Sequence, residues 1–212
     1  MAKTDVLPAL APPLVKCKRS GGESFRRHGA ALAYSLKDFW AWSSSDLMSN
    51  ALRGRVAEFL VAQALGIAGE VRNEWDSWDL TSRTGATVEV KSTAYIQTWA
   101  QRGPSTLMFD IGTKRGWNAA TNLMELERRR QASVYVFAIL DHRERLTVDP
   151  LDVDQWKFYV LASRVLDAKV PSQKSIRLTT LLKLGAQLCS FEDLAEMVER
   201  ARDVQPSGAR TP

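Results

Sequence analysis

The sequence predicts a mixed α/β fold in which helices flank a central mixed β-sheet. Helical and strand-like segments alternate along the chain, and the apolar run at residues 133–140 has the length of a strand covered on both faces. The chain has 212 residues, of which 45% are hydrophobic and 25% are charged. This composition is typical of one globular domain with a substantial core, so we expect a single domain.

The first half of the chain is predicted to form helices and then short strands. Residues 34–42 are apolar and aromatic and fit one or two helical turns. Residues 46–65 lack proline and are rich in helix formers, and Gly66 provides a C-terminal stop. Alternation and turn residues then predict strands at 71–73, 78–82, 87–94 and 105–111.

The second half is predicted to add a helix, two core strands and two further helices. Residues 118–130 are expected to be helical, because Glu125 and Arg129 would form a supporting pair four residues apart. The remaining predicted elements are strands at 133–140 and 157–162 and helices at 178–184 and 191–202.

Composition excludes several kinds of catalytic site. The two histidines and two cysteines show no spacing of the CxxC or HxxxH kind, so a zinc site of Cys and His ligands is not expected. The sequence also lacks the GxSxG, GxxxxGK[ST] and GxGxxG motifs of serine hydrolases, P-loop NTPases and dinucleotide enzymes. A bound metal would therefore have carboxylate ligands, which suit hard ions such as Mg²⁺ or Mn²⁺.

Positive charge is concentrated at the N-terminus. Residues 1–37 contain seven basic and two acidic side chains, so they carry the entire formal net charge of +5. We expect a basic, flexible arm at 1–33, one domain at 34–204 and a disordered tail at 205–212. The arm would either contact nucleic-acid phosphates or act as a solubilising tail. An 18-residue apolar run and a signal peptide are both missing, which predicts a cytoplasmic protein without a membrane span.

The hairpin at residues 77–94 concentrates polar side chains on one face. Its odd-numbered positions are polar and most of its even-numbered positions are apolar, as in a strand with period two. A three-residue loop ending in Gly85 would place Asp79 directly opposite Glu89, with Cβ atoms about 5 Å apart. Two carboxylates at that distance repel each other, so we expect Lys91 on the same face and a divalent cation to offset their charge.

The predicted helix at 46–65 offers a third acid. Glu58 shares a helical face with the apolar residues Val61 and Leu65, where an unpaired carboxylate is costly to bury. One interpretation is that the helix directs Glu58 toward the Asp79–Glu89 pair. The other is a salt bridge from Glu58 to Arg53 or Arg55.

These residues resemble the PD-(D/E)XK nuclease superfamily, which has the restriction-endonuclease-like fold. The family pattern is an acid in the first core helix, an acid at the end of one strand and E-x-K on the adjacent strand. Glu58, Asp79 and Glu89-Val90-Lys91 match it within residues 46–97, although Trp78 replaces the usual proline. The resemblance implies that Asp79, Glu89 and the main-chain carbonyl of Val90 hold Mg²⁺ (or Mn²⁺). It further implies that Glu58 assists through a water and that Lys91 positions the attacking water.

The resemblance predicts a metal-dependent endonuclease that hydrolyses DNA phosphodiester bonds in restriction, repair or mobile-element defence. A homodimer is expected, since cutting both strands needs two such sites. Two alternatives remain open: a non-catalytic nucleic-acid-binding protein on the same fold, and a nuclease that acts on RNA. Lys114 and Arg115, in an expected loop, together with Tyr95 and Gln97, are the candidate nucleic-acid contacts.

Overall fold

The computed structural model describes residues 14–118 and 122–203. The strands, in chain order, are β1 (Ser24–Arg27), β2 (Ala30–Ser35), β3 (Leu80–Thr81), β4 (Thr87–Ala94), β5 (Met108–Asp110), β6 (Lys114–Asn118), β7 (Leu123–Arg129), β8 (Val134–Leu140), β9 (Trp156–Ala162), β10 (Ser175–Arg177) and β11 (Gln187–Cys189). The α-helices are α1 (Leu36–Ser44), α2 (Asn50–Ala64), α3 (Ser163–Lys169), α4 (Leu178–Lys183) and α5 (Leu194–Asp203).

Five strands form a central mixed sheet in the order β11, β9, β8, β4, β3. Strands β4 and β8 run parallel, whereas the other neighbouring pairs run antiparallel. Parallel neighbours need a long crossover connection, and the chain between β4 and β8 carries β5, β6 and β7. The central mixed sheet with flanking helices confirms the predicted fold class.

Apolar side chains cover both faces of the sheet. On one face, α2 and α5 pack on a cluster that includes Val88, Val90, Val134, Val136 and Phe158. On the other face, a second cluster includes Phe109, Tyr135, Phe137, Ile139 and Leu181. Every residue of β8 is buried, which confirms the predicted central strand, and full burial of one such side chain contributes about 1.5–3 kcal/mol.

The hairpin of β3 and β4 has the predicted register. Ser82 and Ala86 are joined by a main-chain hydrogen bond of 2.8 Å, and Thr81 lies opposite Thr87. Gly85 closes the loop with a φ of +89°, a left-handed conformation that glycine adopts without a steric penalty. This turn fixes the alternation of β4, so that Val88 and Val90 point into the α2 layer and Glu89 points to the opposite face.

The predicted helix at 118–130 is wrong, because residues 123–129 form β7, which pairs with β6 in a two-stranded antiparallel ribbon. Residues 119–121 of that prediction lie outside the described residues. We call β6 and β7 the ribbon. Glu125 and Arg129 do pair, at 2.8 Å, but an even spacing of four places two residues on one face of a strand as well as of a helix. Lys114 and Arg115 therefore lie on a strand rather than in the expected loop.

The other elements agree with the sequence to different degrees. The helix at 46–65 is confirmed as α2, and the hydroxyl of Ser49 accepts the main-chain N–H of Leu52 at its start. The strand expected at 105–111 is shortened to β5, and residues 71–73 form a loop instead of a strand. None of the described helices has the length and hydrophobicity to cross a membrane.

The N-terminal segment is partly folded. The expected arm boundary at residue 33 falls inside β2, which pairs with β1, and Ser35 begins α1 with a capping box to Asp38. Lys16 and Lys18 donate hydrogen bonds to the side chain of Asn73 and the carbonyl of Gly69. The first thirteen residues and the predicted tail at 205–212 lie outside the described residues.

Candidate active site

Asp79 is held against β4 by two main-chain hydrogen bonds. It directly precedes β3, and its N–H donates to the carbonyl of Val88 at 3.1 Å. Its Oδ2 accepts the N–H of Val90 at 2.7 Å. The side chain therefore lies beside the E-x-K segment of β4, although Asp79 itself lies outside the paired residues of β3.

The surroundings of Asp79 oppose its ionisation. Burial raises the pKa of this carboxyl, and the charges of Glu89 and Glu58 raise it further. The hydrogen bond from Val90 and the charge of Lys91 act in the opposite direction, and the resulting pKa is about 6. The crowding of negative charge predicted for this hairpin is therefore present.

Glu89 is buried, with 6% of its surface exposed, and it binds two lysines. Its Oε1 accepts hydrogen bonds from Lys91 Nζ at 2.5 Å and from Lys114 Nζ at 3.2 Å. Partial burial acts against the charge of Lys114, but Glu89 together with Asp79 and Asp110 produces a net rise in its pKa. The lysine of the ribbon thus shares one carboxylate oxygen with the lysine of the central sheet.

Glu58 forms an ion pair with Arg72 rather than with Arg53 or Arg55. Arg72 donates from Nε at 2.5 Å and from NH2 at 3.2 Å to the two carboxylate oxygens. Arg53 and Arg55, the expected partners, donate instead to Gln97 and Glu74. After burial and Glu89, the charge of Glu58 is the next cause that raises the pKa of Asp79.

The acid pair opens onto a cleft of about 230 Å³. Asp79 and Glu89 line it together with the basic residues Lys114 and Arg115. Aromatic and polar side chains complete the walls: Glu74, Trp75, Asp76, Ser77, Trp78 and Trp117. We call this space the cleft. It combines acids, bases and aromatic surface between the central sheet and the ribbon.

The donor set fits a hard cation with few protein ligands. Across residues 14–118 and 122–203, no three Asp, Glu, His or Cys side chains are grouped closely enough to hold a metal. Asp79 and Glu89 nonetheless offer carboxylate oxygens in one cleft, and the high pKa of Asp79 reflects charge that a cation would offset. Mg²⁺ is commonly bound by one or two carboxylates with waters and substrate phosphates.

The four candidate nucleic-acid contacts are divided between two places. Lys114 and Arg115 line the cleft, but Tyr95 and Gln97 do not. Gln97 is buried, and its amide accepts from Arg53 and donates to the carbonyl of Ala94. The guanidinium of Arg143 lies over the ring of Tyr95, 4.0 Å from the ring centroid, in a cation–π contact. The described contacts of Tyr95 and Gln97 are thus with the protein itself.

Sequence reasoning missed the partners that lie outside the two paired strands. The hydroxyl of Ser77 contacts the main chain of Trp117, accepting from its N–H at 3.1 Å, and so ties the loop before Asp79 to the ribbon. Arg72 reaches Glu58 from the same loop. The tryptophan-rich run at 75–78 is the one local signal that could have marked this loop as part of a site.

Comparison with known proteins supports a nuclease. No curated protein matches the sequence. The family described as bacteriophage T4 endonuclease IV matches residues 16–180, which is more than half of the chain. The matched region contains Glu58, Asp79, the Glu89–Lys91 segment and the ribbon, and it ends within α4. The acids of the cleft thus lie inside the part of the sequence that defines the relationship, and the chain belongs to the bacteriophage T4 endonuclease IV family.

Proposed function

We propose that this chain is a metal-dependent DNA endonuclease whose active site is the cleft. The observation that carries the proposal is the convergence of Asp79, Glu89 and Lys91, with the pKa of Asp79 raised to about 6. Membership in an endonuclease family supports the same reaction class. Clusters of titratable groups with shifted pKa values in a cleft are typical of catalytic sites.

Mg²⁺ or Mn²⁺ would be held by Asp79, Glu89 and the main-chain carbonyl of Val90, with Glu58 acting through a water. Such an ion polarises the scissile phosphate and acidifies an attacking water. Arg72 fixes the carboxylate of Glu58 with hydrogen bonds of 2.5 and 3.2 Å, and the charge of Glu58 contributes to the raised pKa of Asp79. The arrangement uses carboxylates and carbonyl oxygen, which are the ligands preferred by hard divalent ions.

Lys91 and Lys114 have different proposed roles, one in catalysis and one in substrate binding. Lys91 lies on β4 of the central sheet and would orient the attacking water and stabilise the additional charge on the phosphate in the transition state. Lys114 and Arg115 are exposed on the ribbon and would bind the phosphate backbone of the substrate. Cleavage in this arrangement would leave 5′-phosphate and 3′-hydroxyl ends.

We also propose that the family belongs to the PD-(D/E)XK superfamily. In support, an acid on α2, an acid before β3 and E-x-K on β4 occupy neighbouring elements, and β4 lies in a mixed sheet. A homodimer would bring together the two centres needed to cut both strands. Restriction, repair and mobile-element defence are the roles that such an activity fits.

The first test is cleavage of supercoiled plasmid by the purified full chain with Mg²⁺, with Mn²⁺ or with EDTA. We expect nicked or linear DNA with either metal and intact plasmid with EDTA. Equal cleavage in EDTA would contradict the metal requirement. Cleavage of RNA but not DNA would establish the RNA alternative, and DNA binding without cleavage would establish the non-catalytic alternative.

Metal binding is tested separately by thermal unfolding with and without Mn²⁺. A ligand whose free concentration is 100 times its Kd stabilises the folded state by about 2.7 kcal/mol. Mn²⁺ should therefore raise the Tm of the wild-type protein. Glu89→Gln should abolish that rise, whereas Glu196→Gln, an exposed acid on α5 paired with Arg200, should keep it. An equal rise in Tm for Glu89→Gln would place the metal elsewhere.

A further inference from the structure

Two tryptophans from different parts of the chain lie beside each other at the cleft. The rings of Trp75 and Trp117 have centroids 6.1 Å apart and planes inclined by 57°. Trp75 is 71% exposed, although large aromatic side chains are usually covered in a folded protein. An exposed indole beside a second aromatic ring leaves a flat apolar surface available to a planar ligand.

Hydrogen bonds hold Trp117 in this position. Its main-chain N–H donates to the hydroxyl of Ser77 at 3.1 Å, and its Nε1 donates to Asn122 Oδ1 at 3.3 Å. Trp78, which also lines the cleft, directs its Nε1 to the hydroxyl of Thr81 at 2.8 Å. These indoles therefore need little rearrangement before they contact a ligand, which lowers the entropy cost of binding.

The aromatic pair shares its cleft with the acid pair and with two cations. Trp75 and Trp117 line the same space as Asp79, Glu89 and Arg115. A nucleotide combines a phosphate with a planar base, so a cleft with cations and exposed indoles beside acids matches both of its parts. Base–aromatic stacking accepts every base, because each base has a π-face.

We propose that Trp75 and Trp117 form a nucleobase subsite that holds one base of the substrate next to the cleaved phosphate. This inference rests on the proposed nuclease function of the cleft and adds a substrate contact to it. Trp75 supplies the stacking surface, and Trp117 fixes the orientation of that surface from the ribbon. Trp75 contacts the substrate base directly, whereas Trp117 acts through Trp75 and is a positioning residue.

The test compares two ligands with the same phosphates, one with bases and one without. The ligands are a fluorescein-labelled oligothymidine of about 12 nucleotides and an abasic tetrahydrofuran chain of equal length. Binding is measured by fluorescence anisotropy in EDTA, so that cleavage does not interfere. The proteins are the wild type, Trp75→Ala, Trp75→Phe and the control Trp99→Ala, which removes an indole that is 54% exposed and does not line the cleft.

Trp75→Ala should weaken binding of the oligothymidine about 5- to 150-fold and binding of the abasic chain less than about 2-fold. Trp75→Phe should retain most of the affinity, and Trp99→Ala should change neither ligand. If Trp75→Ala weakens binding only when the ligand has bases, Trp75 contacts a base directly, as in a double-mutant cycle. A purely structural role of Trp75 would weaken both ligands equally.

Unchanged binding of the oligothymidine by Trp75→Ala, or an equal loss on both ligands, would overturn the subsite. That outcome would leave the proposed nuclease function intact, because plasmid cleavage tests it separately. Conversely, base-dependent binding by a protein that never cleaves would support the subsite and overturn the nuclease. Failure of the wild type to bind either chain would also overturn the subsite, and plasmid cleavage would still decide the nuclease function.

Discussion

The central sheet and the ribbon both contact the carboxylate of Glu89, but they differ in how deeply their residues are buried. Strand β4 packs on both faces, whereas the seven residues of β7 are exposed or half-buried, and Leu126 is 89% exposed. From the sheet, Lys91 reaches Glu89 with a side chain that is 18% exposed. From the ribbon, Lys114 reaches the same oxygen with a side chain that is 55% exposed.

This difference suggests how the molecule separates chemistry from substrate binding. Groups that must be held to within fractions of an ångström are best placed on rigid, buried elements. Groups that follow a charged backbone can lie on an exposed element, where they remain hydrated and adaptable. We therefore expect substitutions in β4 to change the rate of cleavage and substitutions in the ribbon to change binding.

The largest contrast is expected between the two lysines on Glu89. Lys91→Met should lower kcat for DNA cleavage by about 10²- to 10³-fold, because a donor to the transition state is lost from a preorganised site. Lys114→Met should leave kcat within a few-fold and weaken DNA binding, lowering the slope of log K against log[salt] by about 1. Single-turnover kinetics and anisotropy at several salt concentrations measure these effects. Equal losses of kcat would remove the distinction between sheet and ribbon.

Adjacent arginines at the end of the ribbon should differ in their contribution to stability. The side chain of Arg130 is 1% exposed and donates to Asp167 and to the carbonyls of Ile111, Val170 and Gln173. Arg130→Ala should lower the free energy of unfolding by about 3 kcal/mol, because the carbonyl of buried Ile111 and the partly buried carbonyl acceptors lose their donor.

The matched control is Arg129→Ala, whose side chain is 57% exposed and pairs with Glu125. Its effect on the free energy of unfolding should stay below about 0.5 kcal/mol. Urea unfolding followed by circular dichroism gives both values. Similar costs for the two arginines would show that Arg130 does not anchor the ribbon to the core.

Asp79 should make the metal-free protein less stable as the pH rises. Its folded pKa of about 6 lies above the unfolded value of 3.8, mainly because of burial, so the folded state binds more protons between these pH values. Stability is therefore lost from about pH 4 to about pH 6, by about 2–3 kcal/mol in total. Asp79→Asn should match the wild type near pH 4 and exceed its unfolding free energy by that amount at pH 7–8 in EDTA. A wild type that is the more stable of the two at pH 8 would contradict this assignment.

The smallest effect is expected at Gly54 of α2. A Cβ atom added there meets no atom within 4 Å, so the helix does not need glycine for a close approach to the sheet. Gly54→Ala should raise the free energy of unfolding by about 0.5–1 kcal/mol through helix propensity, with DNA cleavage unchanged. Thermal melts in EDTA measure the gain, and a loss of stability would indicate a contact that the helix makes through this position.

The central sheet and the acid pair could be predicted because their signals are local or nearly so. The run at 133–140 is long, apolar and rich in strand formers, and β8 is the buried strand that it indicates. The loop that ends in Gly85 sets the hairpin register at Leu80–Val88 and Thr81–Thr87, and Asp79 follows directly, bonded to the main chain of Val88 and Val90. Short-range turn geometry was enough to derive half of the site.

The ribbon and the remaining contacts of the site could not be derived in the same way. Its pairing of charges at a spacing of four is compatible with a helix or a strand, and its apolar residues are exposed rather than arranged in one stripe. Lys114 reaches Glu89 across 25 residues, and Arg72 reaches Glu58 across 14 residues from a loop. Contacts of this kind depend on how a crossover and a loop fold back over the sheet, which periodicity does not encode.

The most direct test of the central claim is single-turnover cleavage of a DNA duplex by wild type and Glu89→Gln, with Mg²⁺ and protein in excess. Glutamine keeps the size of the side chain and removes the charge that binds both lysines. We expect cleavage by the variant to fall by about 10³-fold or more, while DNA affinity in EDTA is unchanged or increased. Cleavage within about 3-fold of the wild type would show that Glu89, and therefore the cleft, is not the active site.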